Sequence, residues 1–199
     1  LDSDVIMGRL LHNRMGYTTK DTIPMLLGLK PEPWVGPMEE ELLKRIPIGE
    51  NVTRQEIMAD FPKGEEHRSL QRDIKYAMSN LERQMLVVKQ FEDVPGRRRR
   101  LSLFHRVHDV YEAMDFESAL VDVIRRMGPV KGNTLRFYVT RSFEDLTVAL
   151  MNLEKEGRIA KVMALVPDPE AFYCMPEEVE VLQQPRREDR TMRILTQSD

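Results

Sequence analysis

Residues 76–89 read YAMSNLERQMLVVK, and residues 148–161 read VALMNLEKEGRIAK. Asn80, Leu81, Glu82 and Lys89 return as Asn152, Leu153, Glu154 and Lys161, always 72 positions later. Ala77 returns as Ala149, and Arg83 as Lys155. An echo of this length exceeds a solenoid repeat and reads as a small domain present twice.

Working outward from the first stretch, residues 38–45 (MEEELLKR) predict a short amphipathic helix with acids in its first turn. Thr53-Arg-Gln-Glu56 is a capping-box pattern that opens a second helix over 54–60. Pro62, Lys63 and Gly64 make a turn, and a third helix follows over 66–84. Leu70, Ile74, Ala77, Met78 and Leu81 fall three and four apart and mark its inward face. Residues 85–91 predict a strand, 95–100 a loop with four arginines, and 101–105 a returning strand.

Around the second stretch the order repeats. Helices are predicted at 117–127, with Leu120, Val123 and Ile124 inward, at 134–139, and at 143–156 behind a Ser142 cap. Gly128-Pro129 ends the first, and Gly157 the third. Strands follow at 158–165 and 171–175, joined by a turn at 166–170. Helix, helix, helix, strand, loop, strand is the order of a winged helix. Three short helices bury one shared cluster, and the hairpin covers its open side.

The predicted fold is therefore mainly α with small β (α+β): two tandem winged helix-turn-helix units plus N-terminal helices. Residues 1–37 are expected to hold two helices, at 4–14 and 21–27, and a Pro-rich connector. They are either a third unit without its hairpin or helices packed on the first unit. Trp34 in the connector is the expected anchor to that unit. Winged helix 1 spans 38–114 with a basic wing at 95–101, winged helix 2 spans 115–182 with an acidic wing turn at 166–170, and 183–199 is the expected flexible tail.

VIRRMGPV (123–130), ALMNLEKEGRI (149–159) and EAFYCMPEE (170–178) together resemble winged-helix units of two families. These are the C-terminal part of Lhr-type helicases and the AlkZ-like crosslink-repair DNA glycosylases. RRRRLSLFHRV (97–107) resembles a basic wing returning into a strand, so the likeness runs over residues 38–180. It implies a DNA-handling architecture. The chain departs from both families in chemistry. It has no GxxxxGK[ST] phosphate loop, and no Gln-apolar-Gln motif, since Gln183 and Gln184 are adjacent.

Composition bounds the function. The chain has 199 residues, 41% of them hydrophobic and 32% charged, with 30 Lys and Arg against 33 Asp and Glu for a formal net charge of −3. This excludes wholesale disorder and a polycation that grips nucleic acid by bulk charge. One cysteine, Cys174, excludes an internal disulfide framework and a Cys-based zinc site, and it reads as core. No apolar run approaches the roughly 20 residues of a membrane span. A cytoplasmic compartment is expected.

A nucleic-acid grip would therefore be local. Arg97, Arg98, Arg99 and Arg100 stand at the wing tip, where a guanidinium fork can hold phosphate or enter the minor groove. Arg68, Gln71, Arg72 and Lys75 lie off the apolar stripe of the third helix, facing the major groove, and Arg106 lies near the wing. In the second unit Lys131, Arg136 and Arg141 could reach phosphate from the helix-turn-helix side, while the Asp168 and Glu170 turn repels it. An asymmetric pair is predicted: unit one contacts DNA, and unit two mainly packs against a protein or another unit.

His105, His108 and Asp109 are too few for a zinc site, so no metal, cofactor, catalytic residue or small-molecule substrate is predicted. The leading reading is a non-enzymatic double-stranded DNA-binding protein in transcription regulation, or the DNA-gripping part of a repair or helicase system. The alternative is a protein–protein adaptor module of a larger complex, with a protein partner or a homodimer. A third reading is an enzyme fragment whose catalytic part lies outside these residues.

Overall fold

The structure, a computed structural model, describes residues 5–11, 14–62, 64–92, 101–164 and 170–183. Among them the chain opens with strands β1 (Val5–Leu11) and β2 (Arg14–Thr19), then helix α1 (Ile23–Gly28). A first unit follows: α2 (Pro37–Lys44), β3 (Val52–Thr53), α3 (Arg54–Ile57), α4 (Arg68–Arg83), β4 (Val87–Glu92) and β5 (Leu101–Arg106). A second unit keeps the same order: α5 (Phe116–Met127), β6 (Val130–Lys131), α6 (Gly132–Tyr138), α7 (Phe143–Lys155), β7 (Ala160–Ala164) and β8 (Glu170–Cys174). Helix α8 (Val179–Gln183) closes the described chain. The fold is α+β. The tips of both hairpins, with the arginines at 97–100 and most of the turn at 166–170, lie outside the described residues, as does the tail from 184.

The echoed residues are where the two long helices stop. Leu86 N–H donates to the Leu81 carbonyl at 2.9 Å, and Met85 N–H to that of Glu82 at 3.2 Å. Arg158 and Gly157 make the same pair of bonds to Leu153 and Glu154, at 2.9 and 3.1 Å. This six-to-one and five-to-two pattern needs a left-handed residue just past the helix. That residue is Met85 at φ 56° in α4 and Gly157 at φ 71° in α7. The Met85 backbone bears a strain of about 1–2 kcal/mol, offset by a side chain that is fully buried. Each echoed asparagine then ties its helix to the first helix of its own unit. The Asn80 amide donates to Glu39 Oε1 at 3.0 Å, and that of Asn152 to Glu117 Oε1 at 3.4 Å.

Local caps start the helices. Thr53 and Glu56 form the capping box, with Glu56 N–H on Thr53 Oγ1 at 3.2 Å and Thr53 N–H on Glu56 Oε2 at 2.6 Å. Those bonds hold the Glu56 carboxyl below the usual range. Ser142 caps α7 through Asp145 N–H at 3.0 Å. Asp115 caps α5 through Ser118 N–H at 2.8 Å.

The N-terminal segment corrects the sequence reading. Residues 5–11 form a strand where 4–14 was predicted helical, and they pair antiparallel with β2, Val5 opposite Thr19 and Gly8 opposite Gly16. Met7 pairs with Lys89, so β1 joins the sheet of unit one, in the order β2-β1-β4-β5-β3. Apolar spacing over so short a run fits either period, and pairing with β4 decides it. Gly8 opposes helix, and Tyr17-Thr18-Thr19 favours strand. The second sheet has the order β6-β8-β7. In each unit a two-residue strand pairs with the last strand, Val52 with Phe104 and Val130 with Tyr173.

The apolar interior forms two clusters. One belongs to unit one and gathers Leu42, Ile46, Ile57, Ile74, Ala77, Leu81 and Phe104. The other runs from Ile6 through α1 and on through Met85, Val88 and Val107 into Leu120, Ile124, Leu146 and Leu153 of unit two. Helix α1 thus packs on α5 while its neighbour β1 pairs with β4. Trp34 does not anchor this arrangement with its ring, which is 69% exposed. Its backbone N–H donates to Gln84 Oε1 at 2.6 Å, and buried Lys30 places Nζ 2.8 Å from the Arg83 carbonyl.

Two outcomes follow for stability. No atom lies within 4 Å of a Cβ built on Gly157, so Gly157→Ala carries only the backbone cost. It should destabilise by about 1–2 kcal/mol and lower Tm by a few degrees in a thermal melt. Burial pulls the Lys30 amine down to about 8 from 10.5. Between those values the unfolded chain binds the extra proton, so stability rises with pH. Wild type should gain stability relative to Lys30→Met from pH 8 to pH 10 in denaturant titrations.

Candidate nucleic-acid interface

Helix α4 buries Ile74, Ala77 and Leu81. At 3.6 residues per turn, Arg68, Arg72, Lys75, Ser79 and Arg83 fall on one stripe along the opposite side. Arg72, Lys75 and Arg83 are exposed. Arg72 and Lys75 make no ion pair among the described residues. Arg68 is ion-paired with Glu65 at the helix start. Gln71 donates from Nε2 to the Pro62 carbonyl at 2.7 Å, which ties the turn before α4 to the helix.

Beside the stripe lies a cleft of about 690 Å³ between the start of α3, the flank of α4 and the β4–β5 hairpin. Arg54, Gln55, Lys75, Ser79 and Ser102 offer donors around it, over Met78, Leu101 and Phe104. Within it Lys89 Nζ is 2.8 Å from the buried Glu82 carboxylate and 5.4 Å from the centre of the Phe104 ring. Leu101, on the rim, directly follows the arginines at 97–100 in the chain. Arg54, Gln55, Lys89 and Ser102 escaped the sequence reading. Arg54 and Gln55 directly follow the capping threonine, and that was the available signal.

Arg106 is not at this surface. It lies at the end of β5, with its side chain 18% exposed, and reaches Asp109 Oδ2 from Nε at 2.7 Å and the Leu43 carbonyl at 3.3 Å. It ties the hairpin to α2. His105 sits beside it, its ring Nδ1 3.4 Å from the Glu50 carbonyl, and burial pulls its pKa down. Among the described residues no group of three His, Cys, Asp or Glu side chains could hold a metal ion. Cys174 is buried beside the Ala160 carbonyl, and burial pushes its thiol up. No helix of the described residues is long and apolar enough to cross a membrane.

In unit two the cations lie against rings. The Lys131 ammonium is 5.5 Å from the Phe172 ring centre, Arg136 is 5.0 Å from that of Phe143, and Arg141 is 4.6 Å from that of Phe116. Lys131 and Arg136 are exposed, while Arg141 is half-buried. The corresponding cleft, between α6, α7 and β8, is smaller, about 370 Å³, and lined by Phe143, Leu146, Leu150 and Tyr173. Positions 72 further on than Arg72, Lys75, Tyr76 and Ser79 hold Glu144, Thr147, Val148 and Met151. Of the basic stripe of α4, Arg83 alone has a basic counterpart on α7, Lys155.

No family model matches the chain, and no curated protein sequence matches it. Among solved structures it is similar to the Streptomyces sahachiroi DNA glycosylase AlkZ, with a TM-score of 0.61 at 15% identity. The match covers 91% of this chain and 55% of that one, so the chain spans about half the length of the glycosylase. At this identity the likeness is one of fold.

The two kinds of arginine separate by experiment. Arg106→Ala should cost about 1–3 kcal/mol in chemical denaturation, because it leaves Asp109 and the Leu43 carbonyl without their partner. Arg72→Ala, at an exposed position, should stay within about 0.5 kcal/mol of wild type.

Proposed function

We propose that this chain is a double-stranded DNA-binding module of two tandem winged helices, the DNA-gripping part of a repair system. Unit one makes the contact. The observation that carries the reading is the α4 stripe: Arg72 and Lys75, in no ion pair among the described residues, stand opposite the buried face, next to a cleft lined by Leu101, the residue that follows four consecutive arginines in the sequence. Exposed cations at that spacing match phosphates on one backbone, and arginine adds a planar fork. The likeness of fold to a DNA glycosylase supports the repair setting.

In this reading the chain holds DNA and carries out no chemistry on it. Glu82, the buried carboxylate of the cleft, is already neutralised by Lys89. In this reading the ion pair with Lys89 gives Glu82 a structural role in the wall of the cleft. Binding is thus mainly to the backbone, and its strength depends on salt.

Fluorescence anisotropy with a labelled duplex across a salt series tests this. Wild type should bind with a clear negative slope of log affinity against log salt. Replacing Arg72 and Lys75 by Ala should flatten that slope by about 2 units and weaken binding on unrelated sequences alike. Replacing Arg97, Arg98, Arg99 and Arg100 by Ala should flatten it further. A wild-type chain with no duplex affinity at low salt overturns the reading.

A further inference from the structure

Arg72, Tyr76, Ser79 and Arg83 follow one another along α4 by steps of four, three and four, and this row lies opposite the buried Ile74, Ala77 and Leu81. Tyr76 is the one aromatic residue of the helix. It is 65% exposed and makes no hydrogen bond, ion pair or ring contact among the described residues. The cations of the row have a task in gripping a backbone, and the ring standing between them does not. Charge on this side of α4 is positive. Arg72, Lys75 and Arg83 are exposed, while Glu82 is buried against Lys89. Asp73, the other acid of the helix, stands about a quarter-turn from the row, on the side away from Lys75. Glu39, which α2 brings to that same side, is buried and accepts from the Asn80 amide at 3.0 Å.

We infer that Tyr76 gives the module a sequence preference, its ring packing on the C5-methyl group of thymine in the major groove. The inference rests on the reading of α4 as the DNA-contacting helix. A helix seated in that groove, which is about 12 Å wide, turns its outermost row toward the base edges. Arg72 and Arg83 stand about 16 Å apart along the axis and reach phosphates at the two ends of the contact. Tyr76 and Ser79, between them, are left over the groove floor. That floor is lined with hydrogen-bond donors and acceptors, and the thymine methyl is its apolar feature. A ring laid on the methyl removes apolar area from water on both partners, whereas a ring laid on a bare acceptor buries it without a hydrogen bond. Unit two offers no such contact, since Glu144 stands at the position of Arg72 and Val148 at that of Tyr76.

The test uses the full chain, a labelled duplex of alternating dA and dT, and the same duplex with uracil in place of every thymine, which deletes only the methyl groups. Wild type should bind the thymine duplex about fourfold more tightly, the worth of one buried methyl. Tyr76→Ala should bind the two duplexes equally, with its salt slope unchanged. Tyr76→Phe should keep the preference, because the ring and not the hydroxyl carries it. Replacing Arg72 and Lys75 by Ala should weaken both complexes and leave their ratio as it was. Circular dichroism checks that each variant keeps its fold, and these exposed positions tolerate substitution. Equal binding of the two duplexes by wild type, with a normal salt slope, overturns this inference and leaves the DNA-binding reading standing. So does a preference that survives Tyr76→Ala, because the duplex itself then supplies it. Tighter binding to a duplex with a bulged base, lost in Tyr76→Ala and indifferent to the methyl, also overturns it, since the ring then stacks on an unpaired base. No binding of either duplex at low salt removes the DNA-binding reading, and this inference with it.

Discussion

Leu81 and Leu153 each accept a hydrogen bond from the amide five residues on, and the path of the chain beyond both long helices is set there. The bond forces one left-handed residue, which turns the backbone through the end of the helix and sends the next strand back along its own unit. Without that reversal the hairpin could not reach the short strand before the middle helix, and the three helices would stay open on one side. Unit two places glycine at the left-handed position, where it is exposed and nothing crowds it. Unit one places Met85 there, fully buried, so a strained residue also joins the interior that links the units. The same turn therefore stops a helix in one unit and serves as a joint in the other.

Once both hairpins are fixed in the same place, the outward faces of α4 and α7 become equivalent positions on equivalent scaffolds. They can then be compared residue by residue. Exchanging Arg72 for Glu144 reverses the charge, and exchanging Tyr76 and Ser79 for Val148 and Met151 removes the polar edge. At physiological ionic strength the field of exposed charges decays over about 8 Å, so each face acts on what touches it. One fold thus carries two surfaces of different chemistry, which the near-neutral net charge of the whole chain conceals.

Much of this was written locally in the sequence. The Asn-Leu-Glu echo was visible because a Schellman turn and an asparagine tie need the same residues each time. The Thr53 box and the Ser142 cap were legible because a cap involves residues only three apart. The inward face of α4 followed from spacing alone. What was missed depends on distant partners. Residues 5–11 become a strand because β4 is there to receive them. Arg106 is drawn in because Asp109 and the Leu43 carbonyl meet it, and the half-exposed Gln71 is engaged by the Pro62 carbonyl. The two-residue strands at Val52 and Val130 exist only through their pairing. Trp34, the one tryptophan, suggested an anchor by size, yet the connector is held by a backbone amide and a lysine.

The interior that begins at Ile6 and ends among the helices of unit two has a practical meaning for anyone who dissects this protein. Boundaries at 37/38 and 114/115 look like convenient places to divide it, the first at the very start of α2 and the second in the connector before α5. Yet a piece beginning at 38 would lose β1 from the sheet edge and bare Met85 and Val88, and a piece beginning at 115 would lose the α1 floor under α5. Both excised pieces would present raw apolar surface and tend to aggregate. One apolar interior thus spans both units, and a cut at either boundary opens it.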